Sequence, residues 1–173
     1  HTQRRRQRQM CIRDSIYAVI QGIFLGAISY TFNSLYDGIV ITAISYTLSI
    51  LFVMLTLYRT GIIKPTENFK LGVAAGTGGI ALIYLANFVM SFFGTGLSIM
   101  DINNASMYSI GFSLLVIVMA SLNLVVDFDF IEEGSEKRAP KYMEWYGAFG
   151  LLVTLIWLYL EILRLLAKMN SRK

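Results

Sequence analysis

Two carboxylates beside or within long apolar stretches are the residues of this sequence best placed to do chemistry. Asp127 follows residues 102–126, which contain no Asp, Glu, Lys or Arg, and Glu161 lies inside the apolar segment 145–167. A carboxylate in hydrocarbon is energetically expensive, so such groups mark ion pathways or proton relays by default. Asp127 and Glu161 are therefore separate candidates for an ion pathway or a proton relay.

Three further polar residues could support these acids. Asn123 and Asp127 are spaced i, i+4 and share one helix face, whereas Asp129 lies about 200° around the same helix. Asp129 begins an acidic run that favours a solvated loop, because the Asp-x-Asp-x-Asp-Gly pattern of a calcium loop is absent. Arg164 follows Glu161 by one turn, so an interfacial salt bridge is an equally good interpretation of Glu161.

The composition indicates that a membrane surrounds these residues. Of the 173 residues, 55% are hydrophobic and only 15% are charged, and the mean hydropathy is +0.58. Soluble domains contain about 25% charged residues. The composition argues against a water-soluble globule, and it excludes intrinsic disorder and a disulfide scaffold.

Long uncharged stretches predict the helices. Four stretches of at least 21 residues contain no charged side chain: 15–36, 38–58, 71–100 and 102–126. A helix of that length rises about 32 Å, which matches a hydrocarbon core of about 30 Å. The expected fold class is all-α, a polytopic transmembrane helical bundle with five spanning helices at about 16–35, 39–58, 70–94, 106–130 and 144–168.

Small residues at i, i+4 spacing predict where helices pack closely. Gly22 and Gly26 form one such pair, and Gly72 and Gly76 form another. These pairs let helix backbones approach each other in lipid. A phosphate-binding loop at 72–79 is excluded, because no Lys-Ser/Thr follows and the segment lies inside an apolar stretch.

The first fourteen residues have a different character from the rest. They carry five of the fifteen basic residues. In addition, residues 5–14 correspond to the in-frame translation of a nucleotide sequence that resembles a common transposase-based sequencing adapter. Residues 1–14 are therefore expected to be a non-native scar, and the native protein to begin further upstream. The alternative is a basic membrane-targeting or nucleic-acid-binding arm. Without the scar no Cys or His remains, which excludes thiol chemistry, His triads and His/Cys metal sites.

Loop charges predict the orientation of the bundle. The loops 59–70 and 128–144 carry several Lys and Arg residues, whereas the turns around residues 37 and 101 carry none. The positive-inside rule places the first two loops in the cytoplasm. Five spans would then end outside, which conflicts with the basic tail formed by Lys168, Arg172 and Lys173. We expect the last helix to cross fully despite this conflict.

Four segments carry a resemblance to a known family. They are 22–29 (GIFLGAIS), 124–131 (LVVDFDFI), 142–150 (YMEWYGAFG) and 158–166 (LYLEILRLL). The second and fourth resemble the last two helices of the Bax inhibitor-1 family, and the other two resemble its bacterial branch. The resemblance covers residues 16–168 and implies helices three to seven of a seven-helix fold. It also implies a multi-pass protein of the bacterial inner membrane.

The same resemblance implies roles for the two acids. The family's sixth-helix acid falls on Asp127 and its seventh-helix Asp on Glu161, a pair that in the family shares a proton and forms a pH-sensitive latch on a calcium leak pathway. Spacing alone does not bring them together, because Asp127 ends its span and Glu161 lies about 24 Å along the next helix. The resemblance implies that they meet.

Two functions remain open at this point. The first is a pH-sensitive calcium or cation leak channel, with Ca²⁺ as a transient ligand and no resident cofactor or metal. The second is a non-conducting regulator that binds a membrane protease or another membrane protein through its small-residue faces. An enzyme is not expected, because neither acid lies in the Gly-x-Gly-Asp context of intramembrane aspartyl proteases. The expected partners are the lipid bilayer and a membrane protein, not nucleic acid.

Overall fold

The fold consists of five helices within the part of the chain that the computed structural model describes, residues 2–94 and 106–172. The helices are α1 Thr2–Leu35, α2 Ile39–Arg59, α3 Glu67–Phe92, α4 Met107–Glu136 and α5 Tyr142–Ser171. Each contains a segment long and apolar enough to cross a membrane, which in α1 begins at Ser15. The predicted all-α class with five spanning helices is confirmed. If residues 1–14 are a non-native scar, they should make no packed contacts, and this expectation falls largely on side chains outside the described residues.

Hydroxyl side chains fix where two of the helices begin. The Thr66 hydroxyl accepts a hydrogen bond from the Phe69 backbone N–H at 3.3 Å, and Ser106 does the same for Ser109 at 3.3 Å. Each bond satisfies one of the backbone donors that the first turn leaves without a partner. In α3 the first residue is Glu67, whose negative charge also suits the positive end of the helix dipole.

Helix α4 continues beyond the predicted end of its apolar segment. The acidic run that was expected to form a solvated loop is solvated but helical as far as Glu136. Glu133 pairs there with Lys137 one turn later, and such i, i+4 pairs support an exposed helix end. A short turn containing Arg138, with φ of 48°, then leads into α5. The charges mark where the apolar segment ends, and the helix itself continues past them.

The antiparallel helices α4 and α5 form the centre of the bundle. Helix α2 packs against both of them, α1 packs against α5 and α2, and α3 packs against α4. The buried core comes from α2, α4 and α5: Ile39, Ala43, Met54, Ile117, Ala120, Leu124, Val125, Phe128, Leu158, Ile162, Leu163 and Ala167. Helices α1 and α3 therefore lie at the periphery of this core.

Helix α1 is attached to α5 by a few specific contacts. The hydroxyls of Ser29 and Tyr159 lie 2.7 Å apart, and the rings of Tyr17 and Phe149 meet edge to face at 5.0 Å. Its apolar segment otherwise has no buried residue. Exposed apolar faces of this kind are what lipid covers in a membrane.

Candidate functional site

Asp127 lies at a close contact between α4 and α5. Its carboxylate contacts the α5 face formed by Gly150 and Thr154, and a Cβ built on Gly150 would lie 3.5 Å from Asp127 Oδ1. Three residues earlier, a Cβ on Gly147 would lie only 2.9 Å from Ile131 Cγ1. The two glycines thus allow the helices to approach closely enough for the Asp127 carboxylate to reach α5.

One oxygen of this carboxylate has no protein partner. Asp127 Oδ2 is buried and accepts no hydrogen bond from any residue that the structure describes. The nearby Thr154 hydroxyl donates to the backbone carbonyl of Gly150 at 3.2 Å. A buried carboxylate oxygen without a donor is costly while the group is charged. Binding a cation or a proton would offset that cost.

Glu161 lies deeper in the bundle and is only 3% exposed. Its Oε1 accepts hydrogen bonds from Arg164 Nη1 at 3.0 Å and from the Tyr84 hydroxyl of α3. Arg164 Nη1 also donates to the Tyr84 hydroxyl at 3.1 Å, and its guanidinium carbon lies 5.5 Å from the centre of the Tyr84 ring. The i, i+3 spacing thus produces a real ion pair. Glu161 Oε2 is buried and has no partner among the described residues.

The two acids lie on facing helices but make separate contacts. On α5, Glu161 is seven residues beyond Thr154, the residue that Asp127 contacts, which corresponds to about 10 Å of helix. No hydrogen bond within the described ranges joins the two carboxylates. The extensions of α4 and α5 toward their connecting turn bring the acids closer than spacing alone predicts. Their proposed coupling therefore stays a prediction.

Asn123 connects α4 to α3. Its side-chain amide donates to the Thr77 hydroxyl at 2.7 Å and to the Met119 carbonyl at 3.0 Å. It therefore faces α3, whereas Asp127, one turn further along α4, faces α5. Asn123 and Asp127 thus share one face of α4, but Asn123 contacts α3 and Asp127 contacts α5.

Asp129 belongs to a separate ionic cluster at the end of the bundle where α3 begins and α4 ends. Its Oδ2 lies 2.6 Å from Lys70 Nζ, and Lys70 also lies 3.8 Å from a Glu133 carboxylate oxygen. Glu133 hydrogen-bonds Lys137 and raises the pKa of that lysine above its usual value. This cluster joins α3 to α4 and is separate from the contacts of the two buried acids.

Lys168, which the sequence analysis counts in the basic tail, is a buried charge. It has no exposed surface, and its ammonium donates to Ser113 Oγ at 3.0 Å and to the Ser109 carbonyl at 3.4 Å. Both acceptors lie near the start of α4, so Lys168 joins the end of α5 to α4. Its position two turns after Glu161, on the same helix face, is the sequence signal that could have identified it. Its burial also weakens the conflict between the basic tail and the positive-inside rule.

The four glycines expected at helix contacts differ in their surroundings. A Cβ on Gly76 would collide with the terminal methyl of Met119, so α3 packs closely on α4 there. At Gly22, Gly26 and Gly72, no heavy atom of the neighbouring described residues lies within 4 Å of the Cβ position. These three glycines face open space as far as the described residues extend.

The described residues contain no group of three or more His, Cys, Asp and Glu side chains that could hold a metal ion.

A comparison with known protein families agrees with the membrane-spanning helical fold. Residues 5–171 match the family described as Bax inhibitor 1 like. No curated protein and no solved structure matches the chain. The match begins within the segment that we expect to be non-native, and that expectation stays a prediction. Because the match covers nearly the whole sequence and five helices can span a membrane, the chain is a multi-pass membrane protein that belongs to the Bax inhibitor 1-like family.

Proposed function

We propose that the protein is a pH-sensitive leak pathway for calcium or other cations, gated by Asp127 and Glu161, in the bacterial inner membrane. Family membership supports the proposal. The observation that carries it is the pair of buried carboxylate oxygens, Asp127 Oδ2 and Glu161 Oε2, that have no donor among the described residues. Asp127 on α4 and Glu161 on α5, which are separated by about 10 Å along α5, each offer an oxygen ligand to a hard cation.

Polar side chains where α3 meets the two central helices support a path along the bundle. The Asn123–Thr77 hydrogen bond links α4 and α3, and Tyr84 reaches Glu161 from α3. Intramembrane polar groups of this kind face a bundle interior or a water-filled cavity rather than lipid. A cation moving along α4 and α5 would therefore meet Asp127 and Glu161 in turn.

The pH sensitivity in this proposal comes from the close contact at Gly150. While Asp127 is charged, it attracts cations and disfavours a dry contact with α5. Proton uptake removes that charge and turns the carboxyl into a hydrogen-bond donor. Protonation then favours a closed contact between α4 and α5, and loss of the proton favours cation entry. Cation flux should therefore rise with pH.

Flux measurements in liposomes test the proposal. The purified protein is reconstituted with an internal calcium indicator, and initial rates are recorded across a pH series. We expect the wild type to show pH-dependent flux and Asp127→Asn to lose the pH dependence. Asp129→Asn is the matched control, because it removes a carboxylate from the same helix but lies in the cluster with Lys70. Equal effects of the two substitutions would contradict the assignment.

The second candidate is a non-conducting regulator that binds another membrane protein. The observation that favours it is the open space at Gly22 and Gly26 on the peripheral helix α1, because small residues let a partner helix approach closely. The same liposomes separate the two functions. Folded wild-type protein that passes no cation at any pH would favour the regulator.

A further inference from the structure

The proposed gate leaves one charged group at Glu161 without a role. Arg164 donates to Glu161 Oε1 at 3.0 Å and stacks over Tyr84. We infer that Arg164 is a tethered cation that occupies the Glu161 site and limits the passage of divalent cations. The inference rests on the proposed function, because it concerns which ions the pathway admits.

The hydrogen bonds at Glu161 limit how it can bind an ion. Oε1 accepts from both Arg164 and Tyr84, whereas Oε2 has no partner within the described part of the chain. Ca²⁺ takes six to eight oxygen ligands and often binds carboxylates through both oxygens. Glu161 offers one available oxygen while Arg164 stays in place. Bidentate binding of Ca²⁺ therefore requires Arg164 to leave.

The positive charge of Arg164 also disfavours divalent cations relative to monovalent ones. A cation at Oε2 meets the guanidinium on the other oxygen of the same carboxylate. Coulomb repulsion scales with the charge of the ion, so a divalent cation is repelled twice as strongly as a monovalent one. The site is only 3% exposed, and burial reduces the screening of this repulsion by solvent and salt. The repulsion therefore acts against Ca²⁺ more than against K⁺.

Tyr84 keeps Arg164 at this position. Its hydroxyl accepts from Arg164 Nη1 at 3.1 Å while it donates to Glu161, and its ring lies beneath the guanidinium. Arginine combines a planar set of donors with stacking on an aromatic face, which lysine does not reproduce. The Arg164 side chain is 32% exposed. The described residues therefore do not fully enclose the side chain, and the inference requires that Arg164 can move away from Glu161.

The test compares Ca²⁺ and K⁺ fluxes through Arg164→Gln in the same liposomes at one pH. We expect the Ca²⁺ to K⁺ ratio to rise by at least about tenfold, because a positive charge leaves the immediate surroundings of the ion. Arg172→Gln is the matched control, since it removes the same charge from the exposed end of α5, and it should leave the ratio unchanged. Arg164→Lys should lie between the wild type and Arg164→Gln.

A second variant keeps the inference testable if Arg164→Gln does not fold. Tyr84→Phe retains both charges but removes the hydroxyl that holds Arg164, so it should raise the ratio in the same direction by a smaller factor. Pathway flux with an unchanged ratio in both variants would overturn the inference and leave the proposed function intact. Absence of flux in every folded protein would overturn the proposed function and the selectivity role together.

Terbium binding gives a readout that does not depend on flux. Tb³⁺ mimics Ca²⁺, and a nearby tyrosine sensitises its luminescence. In Arg164→Gln, Tb³⁺ should bind at least about tenfold more tightly than in the wild type, because a competing cation is gone. Adding Tyr84→Phe to that variant should remove most of the luminescence gain. Equal Tb³⁺ affinity in the wild type and Arg164→Gln would contradict a competing role for Arg164.

Discussion

Replacing Gly147 by Ala should weaken the contact between α4 and α5 on which the position of Asp127 depends. The new Cβ would lie 2.9 Å from Ile131 Cγ1, whereas ordinary van der Waals contact begins at 3.4 Å. Either the Ile131 side chain or the helix must therefore move by at least half an ångström or so. Overpacking of this kind costs about 1–3 kcal/mol.

Helix propensity offsets part of this cost. Alanine is more favourable than glycine inside a helix by about 0.5–1 kcal/mol. The net effect of Gly147→Ala is then a loss of up to about 2.5 kcal/mol in the free energy of unfolding, and Gly147→Ala should be less stable than a clash-free Gly→Ala variant by about 1–3 kcal/mol. Reversible unfolding in mixed detergent micelles with increasing sodium dodecyl sulfate measures this change as a shift in the midpoint.

Two other glycines serve as controls for this prediction. Gly22→Ala adds a methyl where no described neighbour lies within 4 Å, so it should be neutral or stabilising by up to about 1 kcal/mol. Gly76→Ala meets only the flexible end of Met119 and should cost less than Gly147→Ala. The combination of Gly147→Ala with Ile131→Ala should lose less stability than the sum of the two single variants. Equal midpoints for Gly147→Ala and Gly22→Ala, or purely additive losses in the double variant, would refute the steric reasoning.

Two further substitutions test polar contacts between helices. Ser113→Ala should lower the free energy of unfolding by about 1–3 kcal/mol, because it removes a hydrogen-bond acceptor from the buried ammonium of Lys168; Ser45→Ala, at an exposed hydroxyl, should change it by less than about 0.5 kcal/mol. Equal midpoints for these two variants would contradict the account of Lys168. Asn123→Ala should cost about 0.6 kcal/mol, up to about 1.7, by removing the interhelical bond to Thr77. A double-mutant cycle with Thr77→Val checks this, and zero coupling energy would show that the bond contributes nothing.

The sequence predicts the membrane spans well because their physical cause is local. Long runs without charges are needed wherever hydrocarbon surrounds a helix, and they can be counted in the chain. The end of α4 is harder to predict than the end of its apolar segment. The helix continues beyond that segment to Glu136, where Glu133 and Lys137 form an i, i+4 ion pair. A change in polarity thus locates the end of an apolar span better than the end of a helix.

The candidate site is only partly predictable, because its contacts depend on how the helices pack. The pairing of Glu161 with Arg164 follows from their i, i+3 spacing on one helix. The contact between Tyr84 and Glu161 does not follow from a local pattern. Tyr84 lies on another helix, and only the tertiary arrangement of α3 and α5 brings the two side chains together. Lys168 is harder still, because a basic residue near a chain end usually lies in solvent. Only the packing of α5 against the start of α4 buries it.

The pH dependence of cation flux through the wild type and Asp127→Asn tests the central claim most directly. Both proteins are reconstituted at equal density, and initial Ca²⁺ flux is measured across the same pH series, with folding verified by detergent unfolding. The account predicts that wild-type flux increases with pH, whereas Asp127→Asn shows flux of similar size at every pH. An identical pH profile in the two proteins, or no flux in either, would contradict it.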